Sequence, residues 1–138
     1  HLIEDRRAWE AIRLLSNLAP AGRPALTVLL SAQPSVLPML DRMPQLEERL
    51  AVKCLVRPFT ERETAEYVAH RLREAGADEG VFQPEAMPTL QQLTHGIPRR
   101  INRLCDLALL IGYAEQQKSL GPAQLESVHE ELVAVVPE

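Results

Sequence analysis

Three prolines fix where helices can begin in the second half of this 138-residue chain: Pro84, Pro98 and Pro122 each open an apolar-striped run. A proline lacks the N–H that a helix interior needs, but its fixed φ suits the first helical position, where that N–H would go unpaired anyway. The pattern predicts helices over 84–94, 98–117 and 122–133. A fourth helix, from 61 to about 75, is signalled by Thr60 with Glu63 three residues later, a pair able to cap two orphan N–H groups reciprocally. The GADEG stretch at 76–80 stops it. Four helices joined by short turns make a small bundle.

The first half reads differently. Residues 4–19 carry Ala8, Ile12, Leu15 and Ala19 on one face, with acids crowding the first turn, which predicts an amphipathic helix. PAGRP (20–24) stops it. ALTVLLS (25–31) is a short, nearly continuous apolar run between prolines, as a strand covered on both faces would be. Two short helical turns, split by Pro44, fit between Ser35 and Leu50. AVKCLVRPF (51–59) then alternates Val52, Cys54 and Val56, which predicts a second strand. The expected fold class is therefore a helix-dominated chain, with a two-strand α/β part over 1–59 followed by an all-α four-helix bundle over 60–138. Aromatic residues supply only 4% of the chain, so Leu, Val, Ala and Ile must build the core.

Charge divides at the same place. Residues 1–59 hold eight Lys or Arg against six Asp or Glu, and residues 60–138 hold seven against thirteen. An acidic second half argues against a general nucleic-acid surface, which needs excess cations to displace phosphate counterions. Cys54 and Cys105 lie far apart and outside any C-x-x-C spacing, which points to a reducing compartment. His1, His70, His95 and His129 show no metal-ligand spacing, so no metal site is expected. Ser31 precedes no glycine-flanked elbow, which leaves a hydrolase triad without support. No G-x-x-x-x-G-K-[ST] run is present to cradle a nucleotide's phosphates.

One run is chemically pointed. In THGIPRRINRLCDLALL (94–110), Gly96 and Pro98 turn the chain sharply into a helix whose first turn carries Arg99 and Arg100. Paired cations at an end that already bears positive partial charge fit an anion held there by guanidinium and backbone N–H groups together. They also fit a plain solvated basic face, because Arg99, Arg100 and Arg103 share the side opposite Ile97, Ile101, Leu104, Ala108 and Ile111. Residue types alone leave both readings open.

The runs LLSNL, VLLSAQP, LEERLAVKCLVRPFTERETAEYVAHRL, FQPEA and above all GIPRRINRLCDLALL occur here in order. Together they resemble the AAA+ ATPases of the general secretion pathway protein A type. The resemblance covers essentially the whole chain. It implies that this sequence is a C-terminal piece of such an ATPase, comprising the end of the nucleotide-binding core and the helical lid. HLIED would then follow the metal-binding acids of a preceding strand, and the phosphate loop would lie further upstream.

By that resemblance, Arg99 corresponds to the lid arginine called sensor 2, which contacts the nucleotide's phosphates at the turn made by Gly96 and Pro98. Gln33 falls near the polar sensor 1 position that orients the attacking water, although Ala32 stands where the family commonly has glycine. Arg49 lies where related ATPases place an arginine reaching a neighbouring subunit's γ-phosphate; a surface pair with Glu47 or Glu48 is its other reading. The implied ligands of the full-length protein are ATP and Mg2+, with none expected on this chain alone. The implied partners are other copies of itself and inner-membrane secretion or pilus assembly proteins, with a cytoplasmic location at the inner membrane face. Two alternatives stand beside this: a non-catalytic helical interaction module, and a transposition-type, DNA-dependent AAA+ ATPase. The family's sheet order would put a further strand between 25–31 and 52–58, so these two should either pair directly here or be covered by another copy.

Overall fold

The computed structural model describes residues 6–17, 26–77 and 80–135. The expected helix ends at 4–5 and 18–19, residue 25 and PAGRP lie outside the described residues. The chain divides into two compact units, 1–56 and 57–138.

In the first unit, helix α1 (Arg6–Leu15) buries Trp9. Ser16 ends it by returning both its N–H (3.0 Å) and its hydroxyl (2.8 Å) to the Ile12 oxygen. A 3-10 turn, Pro34–Val36, leads into α2 (Leu37–Leu40), and α3 (Pro44–Glu47) starts on its own proline. These are the short helical turns expected around Pro44. Trp9, Leu40 and Leu46 form a small core, with Ile12, Leu30 and Met43 among the partly buried side chains against it.

The two predicted strands are not formed. Among the described residues, 26–32 and 51–58 make no backbone–backbone hydrogen bond, and no strand ladder is present. The physical reason is that a strand exists only through a neighbour: an apolar run without a ladder partner stays irregular whatever its alternation. The side chains confirm it, for Leu29 is 92% exposed, Val52 82% and Val56 90%. Direct pairing of the two runs is therefore excluded, and the α/β part of the expected fold is corrected to short helices joined by irregular chain.

The second unit is the expected four-helix bundle. Helix α4 (Glu61–Glu74) opens on the capping box, with Glu63 N–H reaching Thr60 Oγ1 (3.3 Å) and Thr60 N–H reaching Glu63 Oε2 (2.8 Å). It closes on Gly76 at φ +74°, whose N–H bonds Arg73 O while Ala77 N–H bonds Leu72 O, a Schellman ending. Helix α5 (Ala86–Thr94) starts two residues after Pro84. Bonds from Ala86 N–H to Gln83 O and from Met87 N–H to Pro84 O make a tight preliminary turn, and Pro88 sits in the first α-turn, where its missing N–H costs nothing.

Helix α6 (Pro98–Ala114) ends three residues short of expectation. Gln116 adopts φ +55°, and N–H groups of Gln116 and Gln117 bond Tyr113 O and Gly112 O, so the Schellman ending is made without glycine. Helix α7 (Pro122–Val135) completes the bundle. Helix α5 packs against α4, α6 and α7, and α6 also packs against α7. Leu90, Ile101, Leu104, Leu125, Ala86 and Ala108 are almost wholly buried at the centre. A parallel bridge, Phe82 with Leu120, pins the chain ahead of α7 to the chain ahead of α5. Among the described residues no helix is long and apolar enough to cross a membrane.

Candidate functional site

The turn between α5 and α6 is built from unusual backbone. His95 and Gly96 are both left-handed, at φ 53° and 68°, and Ile97 returns to extended geometry before Pro98 begins the helix. Left-handed geometry costs a non-glycine residue of order 1 kcal/mol, and exposed His95 adopts it next to the surroundings of Gly96. Those surroundings are tight: Gly96 is buried, and a Cβ on it would stand 2.1 Å from the Phe59 oxygen. Glycine at 96 thus serves both a backbone angle and a close approach.

Beyond the turn, Pro98, Arg99 and Arg100 are exposed in the first helical turn and Arg103 in the next. Among the described residues, none of the three arginines makes an ion pair or a side-chain hydrogen bond. Backbone donors are scarcer than a helix N-terminus ordinarily offers. The Ile97 oxygen accepts from both Arg100 N–H (2.9 Å) and Ile101 N–H (3.0 Å), which leaves the Arg99 N–H as the donor without a backbone partner. Any anion at this corner would be held by guanidinium groups first and by peptide groups little.

Gln33 and Arg49 belong to the first unit. Gln33 is exposed and extended immediately before the 3-10 turn, with no side-chain cap bond. Arg49 is exposed in the turn after α3 and pairs with neither Glu47 nor Glu48; Glu47 is taken instead by Lys53. Gly96, Pro98 and Arg99 are brought together in the second unit by adjacency in the chain. Among the described residues no three His, Cys, Asp or Glu side chains gather as a metal site.

Sequence reasoning missed the polar contacts that hold this corner. The Thr64 hydroxyl donates to Gln91 Oε1 (2.6 Å), Gln91 Nε2 donates to Phe59 O (2.9 Å), and Phe59 N–H donates to Gly96 O (2.8 Å). On the neighbouring side Tyr67 OH donates to Asn102 Oδ1 (3.0 Å) and accepts from Arg71 (3.2 Å), while the Tyr67 and Phe59 rings lie 5.2 Å apart. The available signal was polar residues, Thr64 and Gln91, on faces that otherwise read as buried. Where α4 begins, Arg57 grips Glu63 through two bonds of 2.7 and 2.8 Å. Glu63 is held down to a pKa of about 2 by the Arg57 hydrogen bonds first, then by the Thr60 N–H and hydroxyl.

A compact helical module with a basic, unpaired first turn is what this half of the molecule defines. The chain is a relative of General secretion pathway protein A of Aeromonas hydrophila, with 39% identity over 107 residues that make up 76% of this chain and 20% of that protein. It thus spans about a fifth of that relative's length. No protein-family model and no solved structure matches the chain.

Proposed function

We propose that this chain is the rear part of an AAA+ ATPase acting in secretion or related pilus assembly, with the helical unit as its lid. The observation that carries the reading is the guanidinium of Arg99: exposed, unpaired and launched from a fixed turn, in a chain 39% identical over 107 residues to a segment of a general secretion pathway protein. In the whole protein ATP, with Mg2+, supplies the transferable phosphoryl group. Arg99 is suited to clamp phosphate oxygens by charge-assisted hydrogen bonds, with Gly96 and Pro98 fixing where it starts. Gln33 orients water, and Arg49 reaches toward a neighbouring copy. Lacking G-x-x-x-x-G-K-[ST], the chain alone does not hydrolyse ATP. The runs 25–31 and 52–58 become strands once upstream chain supplies ladder partners, which accounts for apolar side chains left in water here.

In a longer form that includes the upstream phosphate loop, Arg99→Ala is expected to lower ATP turnover by at least about tenfold, and Arg103→Ala far less. Equal and negligible effects would overturn the reading. They would favour a second one, in which Arg99, Arg100 and Arg103, all without acidic partners among the described residues, dock an acidic protein. Hydrolysis stimulated by DNA would point instead to a transposition-type ATPase.

A further inference from the structure

Phe59 is tied down at both of its backbone groups. Its N–H is spent on the Gly96 oxygen, and its own oxygen accepts from Gln91, whose amide is oriented in turn by the hydroxyl of wholly buried Thr64. The same Gln91 Nε2 would stand 3.0 Å from a Cβ placed on Gly96, so the amide lies close beside the turn as well as on Phe59. Two residues earlier, Arg57 is forked onto Glu63, which also receives the Thr60 N–H and hydroxyl. Arg57–Thr60 is therefore fastened at each end to the bundle. From Gly96 onward there is no slack either, because Ile97 O is bonded to the N–H groups of Arg100 and Ile101.

We propose that Gln91 and Thr64 are positioning residues that join Arg57–Thr60 and the Gly96 turn into one mechanical piece, so that displacement of the chain at Arg57 is passed to Arg99. Arg57 is the first residue of the helical unit, so the covalent link from the preceding chain enters there. What Arg99 touches rests on the function proposed above; the coupling does not. A merely space-filling pair would tolerate an isosteric swap. This pair would not, since Thr64→Val leaves the Gln91 oxygen without its donor and frees the amide to turn away from Phe59.

The test is made on this chain by amide hydrogen exchange at Phe59 and by the backbone resonances of residues 96–100. Thr64→Val should speed Phe59 exchange roughly tenfold and shift the Arg99 and Arg100 amides, while Leu104 and Val128 keep their protection. Thr64→Ser, which retains the hydroxyl, should restore both. Gln91→Glu keeps an acceptor for Thr64 but has no donor for Phe59 O, and should give the same signature if Thr64→Val does not fold. Unchanged Phe59 exchange, an increase shared equally with the core amides, or silent resonances at Arg99 would overturn the coupling. Arg99→Ala should leave Phe59 protected. If that substitution also leaves ATP turnover of the longer form unchanged, the nucleotide reading falls, while the Phe59 measurement still decides the coupling.

Discussion

The two units have similar sequence ingredients and use them differently. In the second, apolar residues at helical spacing meet across four helices, and among the described residues nine of them form one buried cluster with Phe82 and Leu120. In the first, among the described residues, three buried side chains form the centre, and Leu29, Val52, Leu55 and Val56 stand in water. A helix satisfies its own backbone and needs company only on one face; a strand needs company along its whole edge. The difference teaches that the helical unit closes a core from its own helices, while the first unit, among the described residues, leaves apolar runs without a partner.

Cysteine reactivity gives the widest test of that contrast, because each unit holds one free thiol. Cys54 is exposed, whereas burial first and neighbouring Asp106 second push Cys105 up to about 12. At pH 8 only about one Cys105 thiol in ten thousand is then a thiolate, before shielding is counted. Cys54 should be alkylated within minutes and Cys105 only on unfolding, as read by mass spectrometry. Comparable rates at both would mean that the bundle opens as readily as the first unit.

Paired truncations come next. Leu90→Ala empties a wholly buried site at the bundle centre and should cost about 3–4 kcal/mol in urea unfolding. Leu46→Ala, in a core ringed by partly exposed side chains that can close in, should cost about 2 kcal/mol or less. Equal costs would erase the distinction. Gly96→Ala should destabilise the bundle by at least about 2 kcal/mol, since left-handed geometry and overlap with the Phe59 oxygen add together.

How far these contrasts could be read from sequence depends on range. The bundle was legible because its signals are local: Thr60 with Glu63, Gly76, and the prolines at 98 and 122 each act within a few residues. Pro84 misled by two positions because Pro88 shares the same turn. Gln116 could not be recognised as a helix end, because its left-handed geometry serves the closing hydrogen bonds to Tyr113 O and Gly112 O and is not a propensity of glutamine. The strands failed for the opposite reason: alternation at 52–56 is real, but pairing is a property of a partner. At the candidate site the Gly96–Pro98–Arg99 turn was legible, whereas its attachment to Phe59 through Gln91 spans 32 residues and leaves no local mark.

The smallest expected effect concerns pH and bears on the bundle alone. Glu63 has its pKa lowered from 4.5 to about 2 in the folded unit, by Arg57 and by the Thr60 N–H and hydroxyl. A carboxylate depressed on folding binds fewer protons in the native state than in the unfolded one. Its contribution is therefore fully present above pH 4.5 and is withdrawn as pH falls from there to about 2. The group is exposed, so solvent screens the pair and the change in midpoint should be slight. Glu63→Gln keeps an acceptor for the Thr60 N–H but removes the charge, and should flatten this part of the acid limb in urea unfolding monitored by helical circular dichroism. An acid limb of the same slope in wild type and Glu63→Gln would mean that Arg57 is not held to α4 in solution, and the segment leading to Phe59 would then be fastened at one end only.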